Sequence, residues 1–184
     1  FVRGAHGERE RVTGPRQGDL PNVGGMARLL IVHHTVSPAT RELLDAVLDG
    51  ARTDYIEGVR VQVKAALSAN AADLLEADAV VLGTPANIGY MSGALKHFFD
   101  TVYYPVQVDT QGLPYALYVH GDNDTSGAVR AVESIAKGMG WHRHRPPVAV
   151  TGRPDADVRE ACWELGAVTA LAALEHAGEG GGGG

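Results

Sequence analysis

The chain has little of several features that define whole classes of protein. Its 184 residues include one cysteine, Cys162, so no intramolecular disulfide can form, and a reducing, cytoplasmic location is expected. No apolar run approaches the roughly 20 residues of a membrane-spanning helix, so no membrane partner is expected. Lysine and arginine (16) are outnumbered by aspartate and glutamate (22), which gives a formal net charge of −6. Because nucleic-acid binding requires a basic face, no nucleic-acid partner is expected either.

The two ends of the chain differ in composition from its middle. Residues 1–25 are rich in glycine, proline and charge and show no apolar period, which predicts a disordered or linker-like arm. Met26 directly precedes the first apolar run, so this arm is either sequence upstream of a natural start or a mobile part of the protein. The glycine-rich stretch 178–184 is predicted to be a flexible tail. One domain is therefore expected over residues 26–177.

Apolar patterns within this domain alternate between two kinds. Short runs typical of strands alternate with stripes at helical spacing. The strand-like runs lie at 28–34, 59–65, 78–83, 115–121 and 147–152, and the helical stripes begin at Leu43, Leu95, Val129 and Val158. This order predicts an α/β fold with a doubly wound, five-stranded parallel sheet of order 2-1-3-4-5 and helices on both faces. Ligands of such sheets lie beyond the carboxyl ends of strands 1, 3 and 4.

The loop after the first strand reads HTVSPATRE (34–42). Ser37 followed by Pro38 predicts a helix start, with the serine side chain capping the first turn. Thr35, Ser37 and Thr40 place three hydroxyl groups beside backbone amides and the positive end of the helix dipole. The loop has neither a GxGxxG nor a GxxxxGK[ST] pattern. It indicates a phosphate site built from neutral donors, and an ordinary capped helix with spare hydroxyls is an equal alternative.

The third strand is followed by GTPANIGYMSGALKHFFD (83–100). Pro85 stiffens the exit from the strand, and Ser92 is a predicted N-cap for the next helix. A loop that displays Thr84, Asn87 and backbone amides suits a flat heteroaromatic ligand with polar edges. The alternative is a plain connection between strand and helix, although seven or eight residues are long for one.

The loop after the fourth strand is polar and contains Gly121, Asp122 and Asn123. It is predicted to form the far wall of the same pocket, and a solvated turn is the alternative. His33 and His34 end the first strand without a second ligand at useful spacing, so they are interpreted as structural and no metal site is expected. Cys162 lies on an apolar helical stripe and is interpreted as a small core residue.

Two of these segments resemble a known family. HTVSPAT resembles the phosphate loop of flavodoxin-like proteins. GTPANIGYMSGALKHFFD is similar to the loop and helix of the NAD(P)H-dependent FMN reductase and WrbA-type quinone oxidoreductase branch. The resemblance extends from residue 28 to about 175. The positions that match the second motif are Gly83, Thr84, Pro85, Gly89, Met91, Lys96, Phe98 and Asp100.

The resemblance implies an FMN-binding flavoprotein with the flavodoxin fold. The predicted activity is an NAD(P)H-dependent oxidoreductase that reduces a quinone or similar small electron acceptor, with no catalytic side chain because the flavin carries the chemistry. A homo-oligomer is also implied. The implied cofactor-binding residues are Thr35, Val36, Ser37, Ala39, Thr40, Thr84, Pro85, Ala86, Asn87, Ile88, Gly89, Gly121, Asp122 and Asn123.

Two other functions remain open at this point. A flavodoxin-type electron carrier shares the fold. Such a carrier is expected to have a strongly acidic surface and aromatic residues that flank the flavin, and this sequence shows neither feature clearly. A flavodoxin-fold binding module without FMN is favoured by two departures from the family pattern. Pro38 has no N–H to offer a phosphate, and Asn87 stands where the family has an aromatic residue, with Tyr90 as a substitute three residues on.

Overall fold

A computed structural model describes residues 25–180 of the chain, so most of the predicted arm at 1–25 lies outside the described residues. The strands are β1 (Ala27–His33), β2 (Val59–Ala65), β3 (Ala79–Asn87), β4 (Tyr90–Met91), β5 (Pro114–Gly121), β6 (His142–Arg143) and β7 (Val148–Thr151). The helices are α1 (Pro38–Ala51), α2 (Ala71–Leu75), α3 (Gly93–Val106), α4 (Ser126–Gly138) and α5 (Ala156–Gly180). None of the described helices is both long and apolar enough to cross a membrane.

The sheet has the predicted order. β2, β1, β3 and β5 are neighbours in a parallel sheet, and the fifth position is shared by β6 and β7, which pair with successive parts of β5. The sequence-based topology 2-1-3-4-5 is therefore confirmed. One strand was not expected: β4 pairs antiparallel with the end of β3.

Burial explains the two kinds of strand. β3 and β5 are buried along almost their whole length and β1 nearly so, because helices cover both faces of the sheet. β2 is an edge strand with half-exposed residues, which matches its alternating sequence. One core lies between the sheet and the side chains of α3 and α4, and a second lies on the opposite face under α1 and α5.

Several helix boundaries follow from local capping. Ser37 and Ser92 cap α1 and α3 as predicted. The short α2 was missed, although Asn70 and Asp73 form a reciprocal capping box that its sequence signals. α3 includes Tyr103–Pro105. α5 continues to Gly180, so 178–180 of the predicted tail are helical.

Backbone contact brings α1 and α5 together. A Cβ atom on Gly50 would lie 1.8 Å from the Trp163 carbonyl oxygen, and one on Gly166 would lie 2.0 Å from the Val47 carbonyl oxygen. Each helix therefore uses a glycine to accept the backbone of the other. Glu42 and Arg159 form an ion pair of 3.5 Å nearer the N-terminal ends of the same two helices.

Replacing Gly166 by alanine tests this contact. Alanine is a better helix former by up to ~1 kcal/mol. A Cβ 2.0 Å from a carbonyl oxygen must instead force the helices apart, so we expect a net loss of about 2 kcal/mol in the free energy of unfolding. The measurement is urea denaturation. Gly178→Ala in the same helix is the matched control, because nothing lies within 4 Å of its Cβ position, and it should leave stability unchanged or slightly raised.

Cys162 supplies a second test of the core. Its side chain is fully buried in the core under α1 and α5, and burial raises the pKa of its thiol to about 12. Because the thiolate is the reactive form, the native protein should not react with a disulfide reagent at pH 8. Denaturant should expose one reactive thiol per chain. Rapid labelling of the native protein would contradict this packing.

Candidate functional site

A cavity of about 700 Å³ opens at the carboxyl ends of the parallel strands. This volume lies within the roughly 300–1,000 Å³ typical of small-molecule sites. Four loops contribute to it, three of which were predicted from the sequence. The lining residues are Val36, Ser37, Pro38, Ala39, Glu42, Pro85, Ala86, Asn87, His120, Gly121, Asp122, Gly152, Arg153 and Pro154.

The loop after β1 is held by reciprocal hydrogen bonds between Ser37 and Thr40. The Thr40 amide donates to Ser37 Oγ (3.1 Å), and the Ser37 amide donates to Thr40 Oγ1 (2.9 Å). The Val36 amide also donates to Thr40 Oγ1, at 3.1 Å. Sequence reasoning found the cap at Ser37 but missed the second half of this capping box, because Thr40 stands where Glu or Gln is usual.

These bonds change the expected roles of the hydroxyls. Thr40 is 1% exposed and does not line the cavity, and its hydroxyl is bonded to the loop itself. Two of the amides expected to face a phosphate, those of Val36 and Ser37, point to Thr40 instead. Ser37 and Ala39 do line the cavity, where the first turn of α1 leaves amides without intrahelical partners.

Polar side chains at the end of β1 and the start of this loop, those of His33, His34 and Thr35, are partly buried. Thr35 does not line the cavity, and its hydroxyl lies 2.8 Å from His33 Nδ1. Burial lowers the pKa of His33, and the nearby charge of Arg41 lowers it further. The His34 Nδ1 atom is buried and has no hydrogen-bond partner among the described residues.

The Tyr118 hydroxyl is buried behind the loop after β1. Tyr118 is 1% exposed, and burial raises its pKa. Its hydroxyl lies near Thr35 but makes no well-formed hydrogen bond within the described chain. The ring packs so closely on Gly83 that a Cβ there would lie 2.0 Å from Tyr118 Cζ. Tyr118 does not line the cavity, so its hydroxyl contributes to the packing behind the loop and does not face the cavity.

The segment after Gly83 is not the open loop that the sequence predicted. β3 continues to Asn87, turns at Ile88 (φ 51°) and Gly89 (φ 70°), and returns as β4. Two consecutive positive φ values define a tight hairpin turn. The turn lies on the first turn of α4, because a Cβ on Gly127 would be 2.0 Å from the Gly89 carbonyl oxygen. Neither Ile88 nor Gly89 lines the cavity, and Ile88 is fully exposed.

Thr84 also has a different role from the expected one. It is 1% exposed, its hydroxyl donates to the Pro85 carbonyl (2.8 Å), and it accepts from the Ser92 amide (3.0 Å). Thr84 therefore fixes the junction between β4 and α3 and does not face the cavity. Pro85, Ala86 and Asn87 do line it, as predicted, whereas Tyr90 does not.

In the loop after β5, Gly121 and Asp122 line the cavity but Asn123 does not. His120, the residue before Gly121 in β5, also lines the cavity and was not predicted from the sequence. His120 is 8% exposed, and its Nε2 donates to the Gly152 carbonyl at 2.6 Å. Because a carbonyl oxygen only accepts, Nε2 of His120 carries a proton in this hydrogen bond.

The fourth loop, after β7, was missed altogether. Gly152 (φ 76°) turns the chain, and its amide donates to the Gly121 carbonyl at 3.1 Å. Arg159 then donates to the Pro154 carbonyl at 3.2 Å. Arg153, between these two anchors, is exposed and lines the cavity. This loop could have been expected from the segment TGRPD (151–155), which has a glycine and a proline at the carboxyl end of a predicted strand.

Metal binding has no support in the described part of the chain. Residues 25–180 contain no group of three or more histidine, cysteine or acidic side chains placed to hold a metal ion. The cavity is lined by proline, alanine and glycine residues, together with polar residues that include Ser37, Asn87 and Asp122.

Comparison with known proteins adds to this geometry. No family model matches the chain. A flavodoxin from Aquifex aeolicus (strain VF5) is 35% identical over 77 residues, which cover 42% of this chain and 40% of that protein. An NAD(P)H dehydrogenase (quinone) from Archaeoglobus fulgidus is 29% identical over 97 residues, which cover 41% of this chain and 51% of that protein. The chain thus spans about half, or less, of the curated relatives it matches.

Structural similarity extends further along the chain. The crystal structure of the flavodoxin, WrbA-like protein from Agrobacterium tumefaciens superposes with a TM-score of 0.66 at 19% identity, over 82% of this chain and 99% of that one. This likeness confirms the predicted flavodoxin-like fold. Over parts of its length, the chain is similar in sequence both to a flavodoxin and to NAD(P)H dehydrogenases (quinone).

Proposed function

We propose that this protein binds FMN in the cavity at the carboxyl ends of its strands and acts as an NAD(P)H-dependent oxidoreductase on a quinone or similar small acceptor. The observation that carries the proposal is the cavity itself. It joins the N-terminus of α1 to an apolar wall at Pro85 and Ala86, within one space of about 700 Å³. The names of the relatives, flavodoxin and NAD(P)H dehydrogenase (quinone), support the same cofactor and reaction class.

The residues at the two ends of the cavity suit the two ends of FMN. Ser37, the amide of Ala39 and the positive end of the α1 dipole favour a phosphate. Pro85 and Ala86 offer a flat apolar surface to a ring system, and Asn87 can hydrogen-bond at its polar rim.

The protein's own contribution is binding and orientation. FMN, when bound, supplies the exchange of a hydride or electrons between donor and acceptor. Gly121 allows its loop to pack closely against Asp124 and Ala86, since a Cβ there would lie 2.8 Å from the Asp124 carbonyl oxygen and 3.2 Å from the Ala86 Cβ. Asp122 and Asn87 are exposed at the mouth, where a small substrate approaches. No acid or base is required of the chain for hydride transfer itself.

Phosphate binding by the Val36 and Ser37 amides would require the loop to open their hydrogen bonds to Thr40. The Val36 and Ser37 amides point to Thr40 Oγ1, and Pro38 has no N–H. This observation favours one second candidate, a flavodoxin-fold binding module that has lost FMN. An electron carrier of flavodoxin type is the other alternative, on the strength of the Aquifex aeolicus relative.

The first test is the absorption spectrum of the purified protein after it is mixed with FMN and desalted. We expect a flavin band near roughly 450 nm to remain with the protein, because the cavity holds both ends of the cofactor. Addition of NADH or NADPH under nitrogen should then bleach that band. Retention of flavin without bleaching would favour the electron carrier, and folded protein without flavin would favour the binding module.

A charge placed at the α1 N-terminus tests the orientation of the cofactor. Ala39→Glu puts a carboxylate in the first turn, where the helix dipole favours it, so the fold should keep its stability. The same carboxylate would repel a phosphate, so we expect FMN affinity to fall by at least about tenfold. The measurement is titration of flavin fluorescence.

Ala72→Glu is the matched control for this variant. Ala72 occupies the same position in the first turn of α2, is exposed and does not line the cavity. Its FMN affinity should equal that of the unmodified protein. If both variants bind FMN equally well, the phosphate does not lie at α1 and this arrangement of the cofactor is wrong.

A further inference from the structure

The four loops do not supply equal chemistry to the cavity. The loops after β1, β3 and β5 contribute neutral groups and Asp122, and α1 contributes Glu42. Arg153, from the loop after β7, is the one cationic side chain among the described residues that line the cavity. It lies in the same space as Ser37, Pro38 and Ala39, the candidate phosphate end.

Arg153 is available to a ligand. Within residues 25–180, its guanidinium has no carboxylate at salt-bridge distance. Glu42, which also lines the cavity, is paired with Arg159 at 3.5 Å. Arg159 therefore pairs with the Glu42 carboxylate of α1, and Arg153 is left exposed to the cavity.

The backbone that carries Arg153 is fixed on both sides. Gly152 is held by two hydrogen bonds. Its amide N–H donates to the Gly121 carbonyl (3.1 Å), and its own carbonyl accepts from His120 Nε2 (2.6 Å). Pro154 is buried, and its carbonyl accepts from Arg159 at 3.2 Å. A guanidinium on a fixed backbone loses less freedom on binding than one on a mobile loop, which favours a specific contact.

The candidate phosphate site at the N-terminus of α1 has few free hydrogen-bond donors. Pro38 offers no N–H, and the Val36 and Ser37 amides are taken by Thr40 Oγ1. A dianionic phosphate monoester would therefore meet few free donors from α1 alone. A guanidinium presents several N–H donors in a planar fork that matches phosphate oxygens.

We infer that Arg153 is a phosphate-binding residue of this cavity, which pairs with the phosphate monoester of the flavin in place of the donors missing at Pro38, Val36 and Ser37. The inference rests on the proposed function, because it assigns a contact to the cofactor proposed above. It adds a charged recognition element from the fourth loop to a phosphate site that the sequence predicted to be neutral.

The experiment compares FMN with riboflavin, which has the same ring system without the phosphate. Dissociation constants for both are measured by flavin fluorescence for the unmodified protein, Arg153→Gln and Arg153→Lys. We expect Arg153→Gln to weaken FMN binding about tenfold and to leave riboflavin binding unchanged, because one charge-assisted hydrogen bond is lost. Arg153→Lys, which keeps the charge, should recover part of the loss. FMN affinity should also depend less on salt in Arg153→Gln.

Arg60→Gln is the matched control. It removes one positive charge from an exposed residue of β2, near the amino end of that strand and outside the cavity. It should bind both flavins as the unmodified protein does, which separates a local contact from an effect of net charge.

Other outcomes would overturn the inference. Unchanged FMN binding by Arg153→Gln would show that the side chain does not reach the phosphate. Equal losses for FMN and riboflavin would assign Arg153 to the structure of the loop. A rise confined to the KM for NADPH would assign it to the nicotinamide donor. If the unmodified protein binds neither flavin, the proposed function itself fails. If it binds FMN and Arg153→Gln binds FMN equally well, only the role of Arg153 fails.

Discussion

The backbone contact between α1 and α5 is the constraint on which the candidate site depends. Gly50 and Gly166 let the two helices approach until carbonyl oxygens occupy the space where a Cβ would lie. The same pair of helices carries Glu42 and Arg159 at facing positions, 3.5 Å apart. Since both helices follow parallel strands, this contact brings the loop after β1 beside the loop after β7. A cavity that joins Ser37 to Arg153 requires that arrangement.

Hydrogen bonds within the loops divide their polar residues into two groups. Thr40 and Thr84 satisfy neighbouring backbone groups and are buried, so they shape the walls without facing the cavity. Ser37 and Asn87 line it. Hydroxyl-bearing residues in a loop often bond to nearby backbone, and short loops in tight contact with a sheet offer many such partners. Residue type and spacing therefore predicted three of the four loops that line the cavity, but not which side chains within them face it: eight of the fourteen expected residues line it.

The cavity combines the neutral groups of the candidate phosphate loop with one arginine that has no acidic partner among the described residues. The α1 end supplies a helix dipole and a serine, and Thr40 closes part of the loop on itself. The fourth loop supplies Arg153 on a backbone fixed by His120, Gly121 and Arg159. A chain with a net charge of −6 that binds an anion gains from such a local positive group, because long-range repulsion is screened by salt and short contacts are not.

The sequence by itself determined the order of strands and helices. Continuous apolar runs and helical stripes are local patterns, and they were enough for the 2-1-3-4-5 sheet and the caps at Ser37 and Ser92. Only the tertiary structure decided that β3 continues into a hairpin at Ile88 and Gly89, and that the loop after β7 reaches the cavity. Those features depend on contacts with α4, β5 and α1, which are far apart in the chain and leave no periodic signal within it.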